Sequence, residues 1–407
     1  MFDFDRPVDR LNTDSVKWEY RFERGVLRRW DDTDPELGDE RVIPLWVADM
    51  DFRCPEPVIE AIKSRAEHGI FGYSRVGPRY LESVVSWMER RHGWHVDPEW
   101  IVNTAGVVPA LHLATRAFAR PGEGVIVQPP VYYPFYSAVR SHGCELVTNP
   151  LRQVGSRYEM DFEDLEAKAS RPGTTLALLC SPHNPGGRLW SREELQRFSE
   201  ICRANDVRVV SDEIHGDLVM PGRRFVPFGT IDPRAVICTA ASKTFNMAGM
   251  KISTVMIPDP DQRAAFLAEM QGLGMFGTNP LSIVATEAAY TFGEPWLEAV
   301  LEYIAANRDW VVRFVAERIP EVEVMDLDAT YLLWLDFRAF GLDAGTLESL
   351  MLGKARLYLD EGHLFGPGGE GWERINLACP RAVLEDALHR IKRVVDEHLR
   401  PMSGGVR

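Results

Sequence analysis

Ser242-Lys243-Thr244-Phe245-Asn246-Met247-Ala248-Gly249 decides how this chain is read, because it sets one lysine just past an apolar run at 236–241 in a protein with little lysine. Only seven of the 46 basic residues are Lys. A lone lysine in a loop is ordinarily a solvated charge. Three further pieces change that reading: Ser181-Pro182-His183-Asn184-Pro185, Ser211-Asp212-Glu213-Ile214-His215 and Arg374-Ile375-Asn376.

Outward from Lys243 the chain alternates. Short apolar, β-rich runs stand at 124–128, 174–180, 207–211, 235–241 and 252–257, most of them separated by helical patterns. Continuous apolar strands of this kind suit a parallel sheet covered on both faces. Ser191-Arg192-Glu193-Glu194 is a capping box that opens a helix carrying Leu195, Phe198 and Ile201 at helical spacing. Past residue 291 the texture changes to a long helical pattern at 296–318, strand-like segments at 331–336 and 373–378, and a final helix over about 383–399. The expected fold is α/β, a mainly parallel central sheet sandwiched by helices, with a smaller α+β domain. The expected division is an N-terminal arm and part of the small domain at 1–50, a large domain at 51–290 and a small C-terminal domain at 291–407. No repeat or low-complexity tract competes with this.

Bulk properties narrow the partners. The 407 residues carry a net charge of −14, with the acids scattered along the chain, which argues against nucleic acid. No run of about 18 apolar residues is present to span a bilayer, and the first residues lack a signal-peptide pattern, so a cytoplasmic protein is expected. Six widely spaced cysteines without a C-x-x-C pair read as buried free thiols, with no metal site expected.

Several residues are placed for chemistry. Asp212 follows the run 207–211, where open α/β sheets gather ligand groups. Asn184 sits in a loop fixed by prolines on both sides, with an amide free to donate. Asn103-Thr104-Ala105-Gly106-Val107 begins a helix, and its uncovered amides make an anion cradle at Ala105, Gly106 and Val107. Arg374 lies in a strand-like segment, and its guanidinium suits a carboxylate held by two parallel hydrogen bonds.

Taken together, these pieces resemble the pyridoxal-phosphate enzymes of the fold-type I aminotransferase superfamily. The resemblance implies that Lys243 holds the cofactor as a Schiff base and, once freed by substrate, serves as the base at Cα. It implies that Asp212 keeps the pyridine nitrogen protonated and that Asn184 donates to the phenolic oxygen. Ser242 and the 105–107 amides would hold the phosphate, Tyr132 would stack on the ring, and Arg374 would grip the substrate carboxylate. His215 would lie beside the phenolic oxygen, where most aminotransferases have tyrosine. Tyr73, in Phe71-Gly72-Tyr73, matches a tyrosine that reaches the phosphate of a neighbouring subunit, which implies a homodimer.

Four more stretches sharpen the resemblance: Leu45-Trp46-Val47-Ala48-Asp49-Met50-Asp51-Phe52, His68-Gly69-Ile70-Phe71-Gly72-Tyr73, Arg91-His92-Gly93-Trp94 and the segment 211–215. These look like the MalY/PatB type of cystathionine β-lyase (cysteine-S-conjugate β-lyase), with similarity from about Thr13 to the C-terminal helix. Val47 and Ala48 would then pass close to the substrate carboxylate. One position departs from the pattern: Lys251 stands where many relatives carry a phosphate-binding arginine, and it brings charge without the fork. The implied activity is β-elimination on L-cystathionine or another L-cysteine S-conjugate, giving thiol, pyruvate and ammonia. An aminotransferase shares every residue named so far. A specialised cysteine-conjugate enzyme coupling deamination to decarboxylation and a non-catalytic cofactor-binding protein are the other readings, and retention of Lys243, Asp212 and Arg374 argues against the last.

Overall fold

The computed structural model describes residues 2–23, 25–30 and 41–400. Seven strands build the central sheet: β1 (Ile101–Thr104), β2 (Gly124–Val127), β3 (Glu145–Thr148), β4 (Thr174–Cys180), β5 (Arg208–Asp212), β6 (Val236–Thr239) and β7 (Ser253–Met256). Their order across the sheet is β1-β7-β6-β5-β4-β2-β3. β2 to β6 pair in parallel, whereas β7 runs antiparallel to both β6 and β1.

The strands read as unbroken apolar runs because both faces are covered. In β4, Leu176, Leu178 and Cys180 enter one hydrophobic cluster, while Ala177 and Leu179 enter another on the opposite side. A helix packs on each face. α1 (Pro78–His92) and α3 (Arg192–Ala204) join the cluster of Ala177 and Leu179 through Trp87 and Phe198, and α2 (Val107–Phe118) joins the cluster of Leu176 and Leu178 through Leu111 and Ala114. The capping box at Ser191 is formed in both directions, with Glu194 returning to the Ser191 backbone. α1 ends at Gly93, whose φ of 63° closes the last turn in the left-handed region that glycine tolerates.

α4 (Ala241–Thr244) follows β6 at once, so Lys243 stands on a single helical turn rather than in the expected loop. Four residues give no periodicity from which a helix can be read. Beyond it, α5 (Glu294–Arg318) leads to a second, antiparallel sheet of β8 (Glu323–Val324), β9 (Leu332–Asp336), β10 (Asp360–Glu361) and β11 (Trp372–Asn376), in the order β8-β9-β11-β10. α6 (Arg381–Val394) ends the regular structure, and a π-helical turn at Val395–Leu399 follows it.

Near the N-terminus, Ile43–Pro44 pairs in parallel with Leu357–Tyr358, and the carbonyl of Leu45 accepts from the Asn376 amide at 3.0 Å. The chain therefore leaves the second sheet at residue 45 and passes directly under Lys243. One expectation needs correction, and one strand had no reading in the sequence. β5 extends through Asp212, in register with Cys180 and Cys238, so Asp212 is the last residue of the strand rather than the one after it. β3, at the sheet edge, went unread because Glu145 and Thr148 break the apolar run. Among the described residues no helix is long and apolar enough to cross a membrane. All six cysteines are free; five are buried and Cys54 is half-buried.

Candidate active site

The carboxyl ends of β4, β5 and β6 converge on a cavity of about 330 Å³. Around it stand eleven of the residues expected from the sequence: Ala48, Ala105, Gly106, Val107, Tyr132, Asn184, Asp212, His215, Ser242, Lys243 and Lys251. They come from seven separate stretches of chain, and only the fold brings them together. Val108, Cys180, Ile214 and Ile252 complete an apolar wall that carries no chemistry visible in the sequence.

Lys243 donates from Nζ to the carbonyl of Ala48 at 2.6 Å, and the Tyr331 hydroxyl donates to the same oxygen at 2.8 Å. Burial lowers the Lys243 amine to about 8; Asp49 and Asp212 pull it up, and Arg374 and Lys251 push it down. The strip carrying Ala48 is held on all sides. Asn376 donates to the carbonyls of Val47 and Asp49 at 2.8 and 2.6 Å, and Asn246 exchanges two hydrogen bonds with the Met50 backbone. Lys17, fully buried, pairs with Asp51 at 2.7 Å, while Arg10 bridges Asp49 and Asp51. Val47 thus serves through its carbonyl and does not line the cavity.

Asp212 is enclosed, and burial raises its carboxyl to about 7, against a hydrogen bond at 3.1 Å from the Ile214 amide and the charge of Lys243. A buried carboxylate with one backbone donor is short of a cationic partner on its cavity side. His215 is held neutral, its pKa pushed down to about 3 by burial and by Lys243 and Arg374, and its Nδ1 has no partner in the protein. Burial pushes the Tyr132 phenol up to about 12. At the opposite wall, α2 opens at Gly106 without any side-chain cap, so its first-turn N–H groups are left for the cavity. Gly106 has a φ of 147°, which only glycine adopts freely, and Lys251 sits in the left-handed region at 53°.

Arg374 lies behind Asn184 rather than in the cavity wall. On β11 and 2% exposed, it donates from Nη1 to Asn184 Oδ1 at 3.1 Å and from Nη2 to the Trp46 carbonyl at 2.7 Å, pairs with Asp360, and lies over the Phe365 ring. Its Nε has no partner. The bond from Arg374 fixes the Asn184 amide so that its NH₂ end is free for the cavity. Tyr73 is elsewhere: fully exposed, it lines a separate hollow with Phe71, Phe276 and Asn279.

Residues 40–391 match the family described as aminotransferase class I and II. The chain belongs to the class I and II aminotransferase family. It is 46% identical to cystathionine beta-lyase PatB of Bacillus subtilis over 96% of this chain and 98% of that one, and 30% identical to protein MalY of Escherichia coli over 95% and 96%. Cystalysin from Treponema denticola, whose crystal structure contains a pyridoxal 5'-phosphate cofactor, superposes with a TM-score of 0.91 at 37% identity, over 98% of this chain and 99% of that one. A pyridoxal-phosphate-bound C-S lyase from Staphylococcus hominis gives 0.88 at 32%, over 98% and 100%. In this class I and II aminotransferase chain, sequence reasoning missed Tyr331, Asp360 and the positioning role of Asn376. Asn376 stood inside a quoted motif; Tyr331 and Asp360 sit in ordinary strand-end sequence and carry no local signal.

Proposed function

We propose that this protein is a pyridoxal-phosphate-dependent carbon–sulfur β-lyase that cleaves L-cystathionine or another L-cysteine S-conjugate to a thiol, pyruvate and ammonia. The observation that carries this reading is one cavity holding an amine at Lys243, a buried carboxylate at Asp212 and an uncapped helix start at Gly106, in a chain whose relatives include cystathionine β-lyases over nearly their whole length. These donors fit the cofactor. Asp212 lacks a cationic partner that a protonated ring nitrogen supplies, the N–H groups from Gly106 onward with Ser242 and Lys251 suit a phosphate, and Asn184 with the orphaned His215 Nδ1 suit a phenolic oxygen. Tyr132 supplies an aromatic face.

Bound pyridoxal phosphate supplies an electron-withdrawing ring that acidifies the Cα–H bond of an attached amino acid. The protein does the rest. Arg374, aligned by Asn184 and Asp360, binds the α-carboxylate, and the strip from Val47 to Ala48 borders it. Lys243, whose amine near 8 keeps a neutral fraction at neutral pH, takes the Cα proton. The electron pair left at Cα expels the thiolate from Cβ, and the released enamine adds water to give pyruvate and ammonia. Tyr331 and Asn376 hold the Ala48 strip while Lys243 moves.

The chain divides accordingly into an arm at 1–50, a large domain at 51–290 and a small domain at 291–407. The active unit is a homodimer in which Tyr73 reaches the partner's phosphate; its full exposure, beside Phe276 at 75%, supports this. Six free cysteines suit a cytoplasmic setting.

The test is incubation of the purified holoenzyme with L-cystathionine while pyruvate, free thiol and keto acids are assayed together. Elimination gives pyruvate and homocysteine in equal amounts without any added keto acid. Turnover that requires a keto-acid acceptor and releases no thiol contradicts the lyase reading and favours transamination.

A further inference from the structure

Asp217 lies five residues past Asp212 and outside the cavity, and it is 5% exposed. Three side chains converge on its carboxylate. His92 Nε2 and Trp87 Nε1 donate to Oδ1 at 2.8 and 3.0 Å, and the Thr244 hydroxyl donates to Oδ2 at 2.8 Å. Burial pushes this carboxyl up, but His92, Thr244 and Arg91 more than offset it and hold the group below its ordinary range, so it stays ionised. His92 and Asp217 also border a hollow of about 360 Å³, distinct from the cavity that Lys243 lines.

Thr244 is the residue after Lys243 and the last of α4. A helix of one turn has almost no stability of its own. What holds this turn is therefore outside it. Phe245 packs edge-on against Trp87 at 5.6 Å and against Tyr290 at 6.2 Å, and Asp217 grips Thr244. Trp87 and His92 both belong to α1, so one helix anchors the lysine turn through packing and through Asp217 together. Lys243 draws its own electrostatic surroundings from Asp49, Arg374, Asp212 and Lys251, which leaves Asp217 a geometric part to play.

We infer that the Thr244–Asp217–His92 chain of hydrogen bonds is a positioning device for Lys243, setting the reach of its Nζ into the cavity, and that Asp217 and Thr244 are positioning residues for the proton transfer. The inference rests on Lys243 being the cofactor lysine. Losing the Thr244 hydroxyl frees the C-terminal end of α4 and lets Nζ wander from its place against Ala48. Substrate binding at Arg374, on another domain, is untouched.

The experiment compares Thr244→Val with Thr244→Ser in the holoenzyme. Val replaces the hydroxyl with a methyl of similar size, Ser removes the methyl, and only Ser keeps the donor. Thr244→Val lowers kcat by on the order of 10², the cost of misplacing a reacting group by about an ångström, with KM nearly unchanged, while Thr244→Ser stays near the parent. The readout that does not depend on turnover is the rate at which cofactor-free protein takes up pyridoxal phosphate in borohydride-reducible form on Lys243; it slows in Thr244→Val and recovers in Thr244→Ser. The midpoint of the pH–rate profile stays where it is in the parent. Equal kcat and equal uptake in the two variants overturn the inference, as does a loss of stability alone with normal kcat per folded site. Asp217→Asn, which keeps shape but cannot accept from all three donors, gives the same readouts where Thr244→Val folds poorly. Failure of the underlying reading is separate: the parent itself then carries no label on Lys243.

Discussion

At the level of single residues, Lys243 and Asp212 make opposite demands on the cavity they share. The Lys243 amine, lowered to about 8 by burial, must be neutral to attack the cofactor aldehyde. Covalent uptake by cofactor-free protein is therefore expected to speed up as pH rises through 8 and to level off above it. An uptake rate still climbing at pH 10, as for an ordinary lysine near 10.4, contradicts the buried placement. Asp212 is an acid whose folded pKa, about 7, lies above its unfolded value near 3.8. Its contribution to stability is complete below the unfolded value and is lost as pH rises through the folded one. In the cofactor-free protein at pH 8, Asp212→Asn is accordingly expected to be neutral or stabilising, by at most roughly 4 kcal/mol at about 1.4 kcal/mol per unit. The same substitution cuts turnover of the holoenzyme far more than it cuts cofactor affinity. Thermal melts with and without cofactor check this, and a destabilised cofactor-free variant means that Asp212 is a structural acid.

The elements explain both what the sequence disclosed and what it hid. β4, β5 and β6 were legible because strands covered on both faces are apolar at every step, and the three motifs at their carboxyl ends were legible because each follows such a run. The direction of β7 was not, since an antiparallel strand buried on both sides has the same composition as a parallel one. Nor were Asp217 and Tyr331, whose partners lie far away in the chain: 125 and 130 residues separate Asp217 from His92 and Trp87, and 283 separate Tyr331 from Ala48. β11 was read correctly as the carrier of Arg374, but its link to Asp360 on β10 needed the sheet register that pairs the two. From that geometry, Arg374→Ala is expected to cost about 2–5 kcal/mol in kcat/KM for amino-acid substrates. Arg374→Lys costs nearly as much, because an ammonium cannot serve Asn184, Trp46 and a carboxylate with one planar fork. Cofactor attachment stays normal in both. Full kcat/KM in Arg374→Ala with every amino acid tried places the carboxylate elsewhere.

For the whole molecule, the N-terminal segment, the second sheet and the turn that follows the central sheet's β6 meet at one strip, residues 45–51, and this is why a site assembled from seven stretches of chain holds its shape. The hollow beside Tyr73 has Phe71 and Phe276 exposed around it. The homodimer reading expects a sedimentation mass near twice the 46.1 kDa of the chain. Phe276→Glu is expected to shift that mass toward the monomer and to weaken cofactor retention, because Tyr73 then no longer reaches the neighbouring site. A monomeric variant that retains cofactor as well as the parent removes Tyr73 from the phosphate. The central claim, that Lys243 is the residue on which this protein works, is tested most directly by reducing the holoenzyme with borohydride, digesting it and locating the cofactor-bearing peptide by mass. The account predicts one modified peptide, containing Ser242-Lys243-Thr244; label on any of the other six lysines, or on none, contradicts it.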